Sequence, residues 1–353
     1  MSLRCRTRSR PPSRRGCAAR STGGPGPASR PAGAALERRS LRALVKGRAL
    51  LFQRGRFILQ AIPCLERAIA LDPAYAEAMG WLADAYRLLG TFGAAPAAEV
   101  MPRAKAMAER ALAIDPDLVE ARATLATVEA QYERTYSRAT ESWARAIELD
   151  PRHSRSRCER AMWSLGLGAR PAEWAVEECR RVALDDPLNA WIAAVHSFLL
   201  GLAGRHAEAI AEGERAVGID ADSFIAQWML LEACIGAGEY PRALGMIPAM
   251  LAASGRHTWV LASLALVRAR TGQEAAARAV YDELEARSRF EFVSPFWLAT
   301  AASAAGLADA AIGYARRAMS ERDPMLILAR WLPHCGGLLA DERFAELTRG
   351  VWE

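Results

Sequence analysis

From about residue 42 almost to the end of the chain, apolar residues recur three and four positions apart, with polar residues between them. That period places the apolar side chains on one stripe of a helix. Long β-branched runs in two-residue alternation are absent, so no sheet is predicted. Turn-forming residues interrupt the pattern about every 15–20 residues, where each helix should end.

An internal repeat orders these helices. Gly204, Gly238, Gly272 and Gly306 stand 34 residues apart. Ala209, Ala243, Ala277 and Ala311 keep the same period, as do Leu230, Leu264 and Leu298. The glycine suits the end of a first helix, where a Cβ would strain the turn. The alanine suits the crossing of a second helix over the first, where only a small side chain permits close approach. The leucine would fill the space between the two.

Earlier in the chain the marker is Asp-Pro, with prolines at Pro73, Pro116, Pro151 and Pro187. Proline stops one helix and the next segment opens another. Ala221 takes the corresponding position 34 residues beyond Pro187, so the two ladders join. The wider gap between Pro73 and Pro116 predicts an insertion of about nine residues around TFGAAPAAEVMP, in the second repeat. The pattern gives about eight helix pairs, the first near 42–73 and the last near 292–320. A terminal helix over 341–351, with Asp341 as its N-cap, would cover the apolar face of the last pair.

These residues resemble the tetratricopeptide-repeat family. In WLADAYRLLG, its leucine, small residue, tyrosine and glycine fall on Leu82, Ala83, Tyr86 and Gly90; in GEYPRAL, its glycine, tyrosine and alanine fall on Gly238, Tyr240 and Ala243. The entry VKGRALLFQR and the close FVSPFWLATAASAAGLADAAIGYARRAM with DERFAEL are similar to C-terminal arrays of bacterial multidomain proteins. In those, the array follows a Ser/Thr kinase, a winged-helix regulator or an adenylate-cyclase-type domain. The third and fourth repeats depart from the motif in their first helices. The resemblance implies an all-α fold, a right-handed α-solenoid of helix-turn-helix repeats with a C-terminal capping helix. It also implies a non-catalytic scaffold that takes a protein or peptide partner in its concave groove. The alternative it implies is a sensor or regulatory module whose output domain is encoded elsewhere.

Charge divides the chain. Residues 1–40 hold ten arginines and one acid, a net +9 within a total of +6, which leaves −3 for the rest. The segment is rich in Arg, Pro, Ser and Gly and has no hydrophobic period, so it reads as a disordered tail. The solenoid then occupies 41–353. Nucleic acid could bind only through this tail, by counterion release, and its lack of aromatics argues against it. One asparagine, Asn189, and two lysines, Lys46 and Lys105, point to the codon bias of a GC-rich, bacterial genome. Family members that hold a chaperone's C-terminal carboxylate use lysines and paired asparagines, so that clamp cannot be built here. No apolar run is long enough for a membrane span and no signal peptide is evident, which predicts a cytoplasmic protein.

Catalytic and metal-binding patterns are missing from the sequence. The seven cysteines form no CxxC pair, and His153, His196, His206, His257 and His334 form no metal-ligand spacing. His196 reads as a packed core residue and the His334–Cys335 neighbours as structural. Gly166 and Gly168 follow no strand, and Glu177–Glu178 read as a solvated face. No enzyme activity, metal or cofactor is expected. The candidate binding surface is instead the inner face of the first helices. Counting back from the ladder glycines places Trp191, Ala194 and Phe198, Trp228 and Glu232, Trp259 and Phe296 there, with Trp163 beside them. Such an aromatic groove would anchor a partner through large contact area at low entropy cost. A homo-oligomer is the other assembly the sequence allows.

Overall fold

The computed structural model describes residues 30–55 and 57–352. They form an all-α solenoid of eight helical hairpins. The hairpins are α1 (Arg30–Gln53) with α2 (Phe57–Leu71), α3 (Ala76–Thr91) with α4 (Ala97–Ile114), and α5 (Val119–Val128) with α6 (Tyr136–Leu149). The fourth and fifth pair α7 (Ser154–Gly166) with α8 (Ala172–Asp185) and α9 (Ala190–Leu202) with α10 (His206–Ile219). Next come α11 (Phe224–Gly236) with α12 (Tyr240–Ser254) and α13 (Thr258–Arg270) with α14 (Glu274–Arg287). The eighth joins α15 (Pro295–Ala304) to α16 (Ala308–Ser320). Odd-numbered helices pack on one another in series and form the inner wall, while the even-numbered ones lie outside.

Each ladder position does what its chemistry requires. Gly204, Gly238, Gly272 and Gly306 all adopt positive φ, between 72° and 77°, just past the first helix of their hairpins. Ala209, Ala243, Ala277 and Ala311 are buried where the paired helices cross, and Leu230 and Leu298 are buried beside them, with Leu264 half-buried. The Asp-Pro marker works through its aspartate. Asp72, Asp115, Asp150 and Asp220 each accept a hydrogen bond from the backbone N–H two residues on, and Asp220 does so with no proline after it.

The ladder breaks in the third hairpin for a visible reason. There α5 ends in a π turn (Glu129–Glu133), and the left-handed residue that closes it is Arg134, φ 57°, in place of glycine. The second-hairpin insertion is distributed rather than looped out. Only residues 92–96 form a loop, and the remainder lengthens α4, whose Ala, Glu, Met, Lys and Arg content favours helix.

At the N-terminus the boundary expected at residue 40 moves. Most of the expected tail lies outside the described residues, but α1 begins at Arg30. Residues 34–39 are mostly strong helix formers, and the buried Ser40 Oγ donates to the Ala68 carbonyl, tying this turn to α2. At the other end, Asp341 caps α17 (Glu342–Leu347), its side chain accepting from the Arg343 N–H, and Phe344 is buried beneath.

The array does not stay open. It coils until its second to fourth hairpins meet its last two. Phe92, from the inserted loop, stacks flat on Trp259 of α13, with ring centroids 4.9 Å apart and planes within 4°. Arg134 reaches Met319 and Arg322 donates to the Tyr132 carbonyl. After α16 a 3-10 turn (Pro324–Leu328) enters the interior, where Ile327 and Leu328 rest against Gly166 and the Ile327 carbonyl accepts from the Trp352 indole. No helix among the described residues is long and apolar enough to cross a membrane.

Two substitutions test this architecture. Ala243→Glu should cost about 3 kcal/mol or more, because the helix crossing has room for neither the volume nor the charge. Phe92→Ala should cost about 3 kcal/mol by opening the closure. Chemical denaturation reads both, and unchanged midpoints would refute the crossing and the closure respectively.

Candidate functional site

The coiling turns the expected groove into an axial channel with an aromatic core. Trp163, Trp191, Phe198, Trp228 and Trp259 line one cavity of about 60 Å³. Trp228 packs on Trp259 at 4.6 Å between centroids, and Phe198 on Trp228 at 5.9 Å. Two other sequence candidates lie elsewhere. Glu232 faces a separate cavity of about 380 Å³ beyond Phe198, and Phe296 is buried against Trp297 outside both. It is Trp297 that completes the cluster, 5.6 Å from Trp259 and 6.3 Å from Trp228. Ala194, the remaining candidate, is buried in α9, and of the eight only Trp191 is less than fully buried, so the groove residues expected to greet a partner are mostly core. A side chain at helical spacing cannot declare whether its face meets solvent or another turn of the same solenoid.

Beside the aromatic core lies a charged cluster that the residue pattern did not reveal. Arg87 donates through Nε to Asp84 Oδ1 at 2.8 Å, and its Nη2 lies 3.3 Å from Glu159 Oε1. Arg155 donates to the same Asp84 oxygen at 2.8 Å, to Thr124 at 2.9 Å and to Glu159 at 3.3 Å. Thr127 donates to Glu159 Oε2 at 2.8 Å. Arg54 stands farther off, 3.9 Å from Asp84 Oδ2. Side-chain exposure is 2–4 % for Asp84, Arg87 and Glu159, 13 % for Arg155 and 17 % for Arg54. Burial opposes ionisation of Asp84, yet Arg155, Arg87 and Arg54 outweigh it and hold its carboxyl at about 2. For Arg54 burial lowers the pKa to about 10; Asp84 opposes the drop and the like charges of Arg87 and Arg155 add to it.

The cavity opens past Arg54, Trp191 and Ile225 into a mouth of about 550 Å³. Exposed Phe52 and, at its edge, Trp81 form one wall, their rings 5.7 Å apart. Helix starts form the other: His153, Asn189 and Ser223, the N-caps of α7, α9 and α11, each accept from a backbone N–H of the first turn.

At the far end, a third cluster holds the C-terminal segment in place. Ser263 Oγ lies 2.9 Å from Glu232 Oε1, 3.0 Å from the Trp259 carbonyl and 3.2 Å from His334 Nε2. His334 Nδ1 lies 3.3 Å from Glu232 Oε2. These are the separations of an acid, a base and a nucleophile, but Ser263 is fully buried and its hydroxyl is occupied within the cluster. The arrangement serves as a tie between residues 333–335 and the sixth and seventh hairpins. Burial pushes the Glu232 carboxyl up to about 8, against the Ser263 hydrogen bond, and pulls the His334 imidazole down to about 3. Glu232 then carries the proton and His334 stays neutral, linked to it through Ser263, so one titrating proton serves the pair.

Sequence and structure comparisons concern the fold. No protein-family model matches the chain and no curated protein matches it. Among solved structures it is similar to human IFIT1, seen as a dimer with m7Gppp-AAAA. The TM-score is 0.55 at 15% identity, over 80% of this chain and 72% of that one. The same human protein with PPP-AAAA gives 0.53 at 17% identity over the same shares. A tetratricopeptide repeat protein from Parabacteroides merdae gives 0.47 at 13% identity, over 70% of this chain and 93% of that one. The chain thus has the fold of the tetratricopeptide-repeat solenoids.

The buried tie sets a pH dependence. The folded pair keeps one proton up to about pH 8, whereas the unfolded chain loses its last one near 6.5, the ordinary histidine value. The folded state then binds more protons, so stability falls as pH rises from 6.5 to 8, by about 2 kcal/mol. In Glu232→Gln this part of the decline should vanish. Melting temperatures of the two proteins across that window check it, and parallel profiles would refute the shared proton.

Proposed function

We propose that this protein is a non-catalytic scaffold that binds a protein or peptide partner at the open end of its concave channel. The observation that supports this is the mouth, the stretch of inner wall that the closure leaves accessible. There Phe52, Trp81 and Trp191 offer apolar contact area beside charged and capping groups, the mixture that protein interfaces use. Much of the groove over hairpins five to eight, expected from the sequence, is occupied by Phe92 and by the segment after α16, and the wider opening lies at the mouth, so docking shifts toward the N-terminal half. IFIT1 holds a capped or triphosphorylated RNA, but the mouth here suits a protein better. Arg48, Arg54, Arg152 and Arg155 face Asp84, Glu120 and Asp150, and this near balance is a poor match for a polyphosphate backbone.

A second reading is the regulatory module of a bacterial signalling or transcription protein whose output domain is encoded separately. The cavity behind the mouth favours it, because Phe92 and Trp259, which make the closure stack, line it and an occupant there would touch them. Co-purification of a kinase, cyclase or winged-helix protein with this chain would support that reading.

Affinity capture with the wild-type chain and with a Phe52→Ala, Trp191→Ala double variant tests docking at the mouth. Both side chains are at least partly exposed, so the variant should fold and lose at least about tenfold in partner recovery, the usual effect of removing central anchors. Equal recovery would overturn the proposal.

A further inference from the structure

Charge along the cavity and its mouth is nearly balanced overall, and Arg48, one of the lining arginines, is paired at 3.4 Å with Glu77 outside them. In the inner part the balance fails locally: Arg54, Arg87 and Arg155 surround Asp84 and Glu159. Arg54 is the cation left over. Its one carboxylate contact among the described residues, 3.9 Å from Asp84, is too long for a hydrogen bond, whereas Arg87 and Arg155 approach within 2.8 Å. A largely desolvated charge without a close partner is costly to keep.

Several polar groups of the lining residues are sealed away from both spaces: Arg155 Nη1 and the indole N–H groups of Trp81, Trp163, Trp228 and Trp259 are buried without a partner. The walls therefore offer aromatic surface and, at the junction, the positive charge of Arg54. Helices α7, α9 and α11 add their N-terminal dipoles, since their capping residues rim the mouth. Arg54 also occupies a left-handed backbone position, φ 60°, next to Gly55, a conformation arginine adopts only at a cost. The side chain kept there sits at the junction of cavity and mouth, together with Trp191 and Ile225.

The geometry points to a receptor site for a small monocarboxylate with a planar apolar body. The carboxylate would meet Arg54 and Arg155 at the junction. The body would lie in the mouth between Trp191 and the Phe52–Trp81 pair, where about 550 Å³ is open. The one loosely paired cation at the junction, Arg54, suits a monoanion better than a phosphate chain, and aromatic walls select a flat apolar body over a sugar. This site shares its mouth with the docking reading above, but its failure is separable: the Phe52/Trp191 variant reads the partner and Arg54 reads the ligand.

The test uses the full chain with sodium phenylacetate as probe, and with phenylacetamide and sodium sulfate as controls at equal ionic strength. Phenylacetate should raise the melting temperature in a concentration-dependent way and give a saturable calorimetric signal, while the uncharged amide and the dianion should not. Arg54→Met should melt no lower than wild type, since it removes an unbalanced buried cation. It should bind phenylacetate at least about thirtyfold more weakly, the loss expected of one buried charge partner. Absence of a phenylacetate response, an equal response to the amide, or unchanged binding in Arg54→Met would each overturn the site. So would an Arg54→Met chain that no longer folds, because Arg54 would then be a structural counter-ion.

Discussion

Phe92 lies flat on Trp259, and this stacking joins the second hairpin to the seventh. Nearest-neighbour packing alone would let eight hairpins spiral freely, each touching only the next. One non-local stack, backed by the Arg134–Met319 and Arg322–Tyr132 contacts, closes the coil. Closure then decides the fate of every inner-face residue. Trp228, Trp259 and Trp297 become a shared core, and the N-terminal mouth of the channel stays accessible.

A closed interior changes the energetics of charge. On an open groove, Asp84, Arg87 and Glu159 would form a solvated ion network worth little to stability. Inside the channel the same groups are desolvated, so their mutual contacts must offset a large penalty. Thr124 and Thr127 supply the added hydrogen bonds, and Arg54 remains incompletely matched. Polar chemistry is concentrated at the two places where the channel meets another space, the Arg54 junction and the Glu232–Ser263–His334 tie. The tie fastens the C-terminal segment with neutral groups, so it holds without a buried ion pair but is sensitive to proton concentration.

Local spacing made the hairpins legible. A glycine at positive φ, an alanine at a helix crossing and an aspartate in a turn are demands of single hairpins, and each recurs because the hairpin recurs. The breaks were legible too, but not their cause: Arg134 takes a left-handed position that the pattern reserves for glycine. Trp163, Trp191, Phe198, Trp228 and Trp259 were found on the inner wall by counting from the ladder, and they do share one cavity. Phe296 is buried outside that cavity, and its neighbour Trp297 joins the aromatic cluster instead.

The sequence by itself determined the repeat, the number of hairpins, the helix ends and which face of each first helix turns inward. These depend on interactions within a few dozen residues, and side-chain type and period report them directly. Only the tertiary structure decided that the inner faces meet each other, that a loop aromatic and the segment after α16 fill the groove, and that three arginines gather on two carboxylates. Those outcomes depend on the small rotation added at each repeat. Summed over seven steps, it sets whether distant hairpins touch, and no single residue carries a mark of that sum.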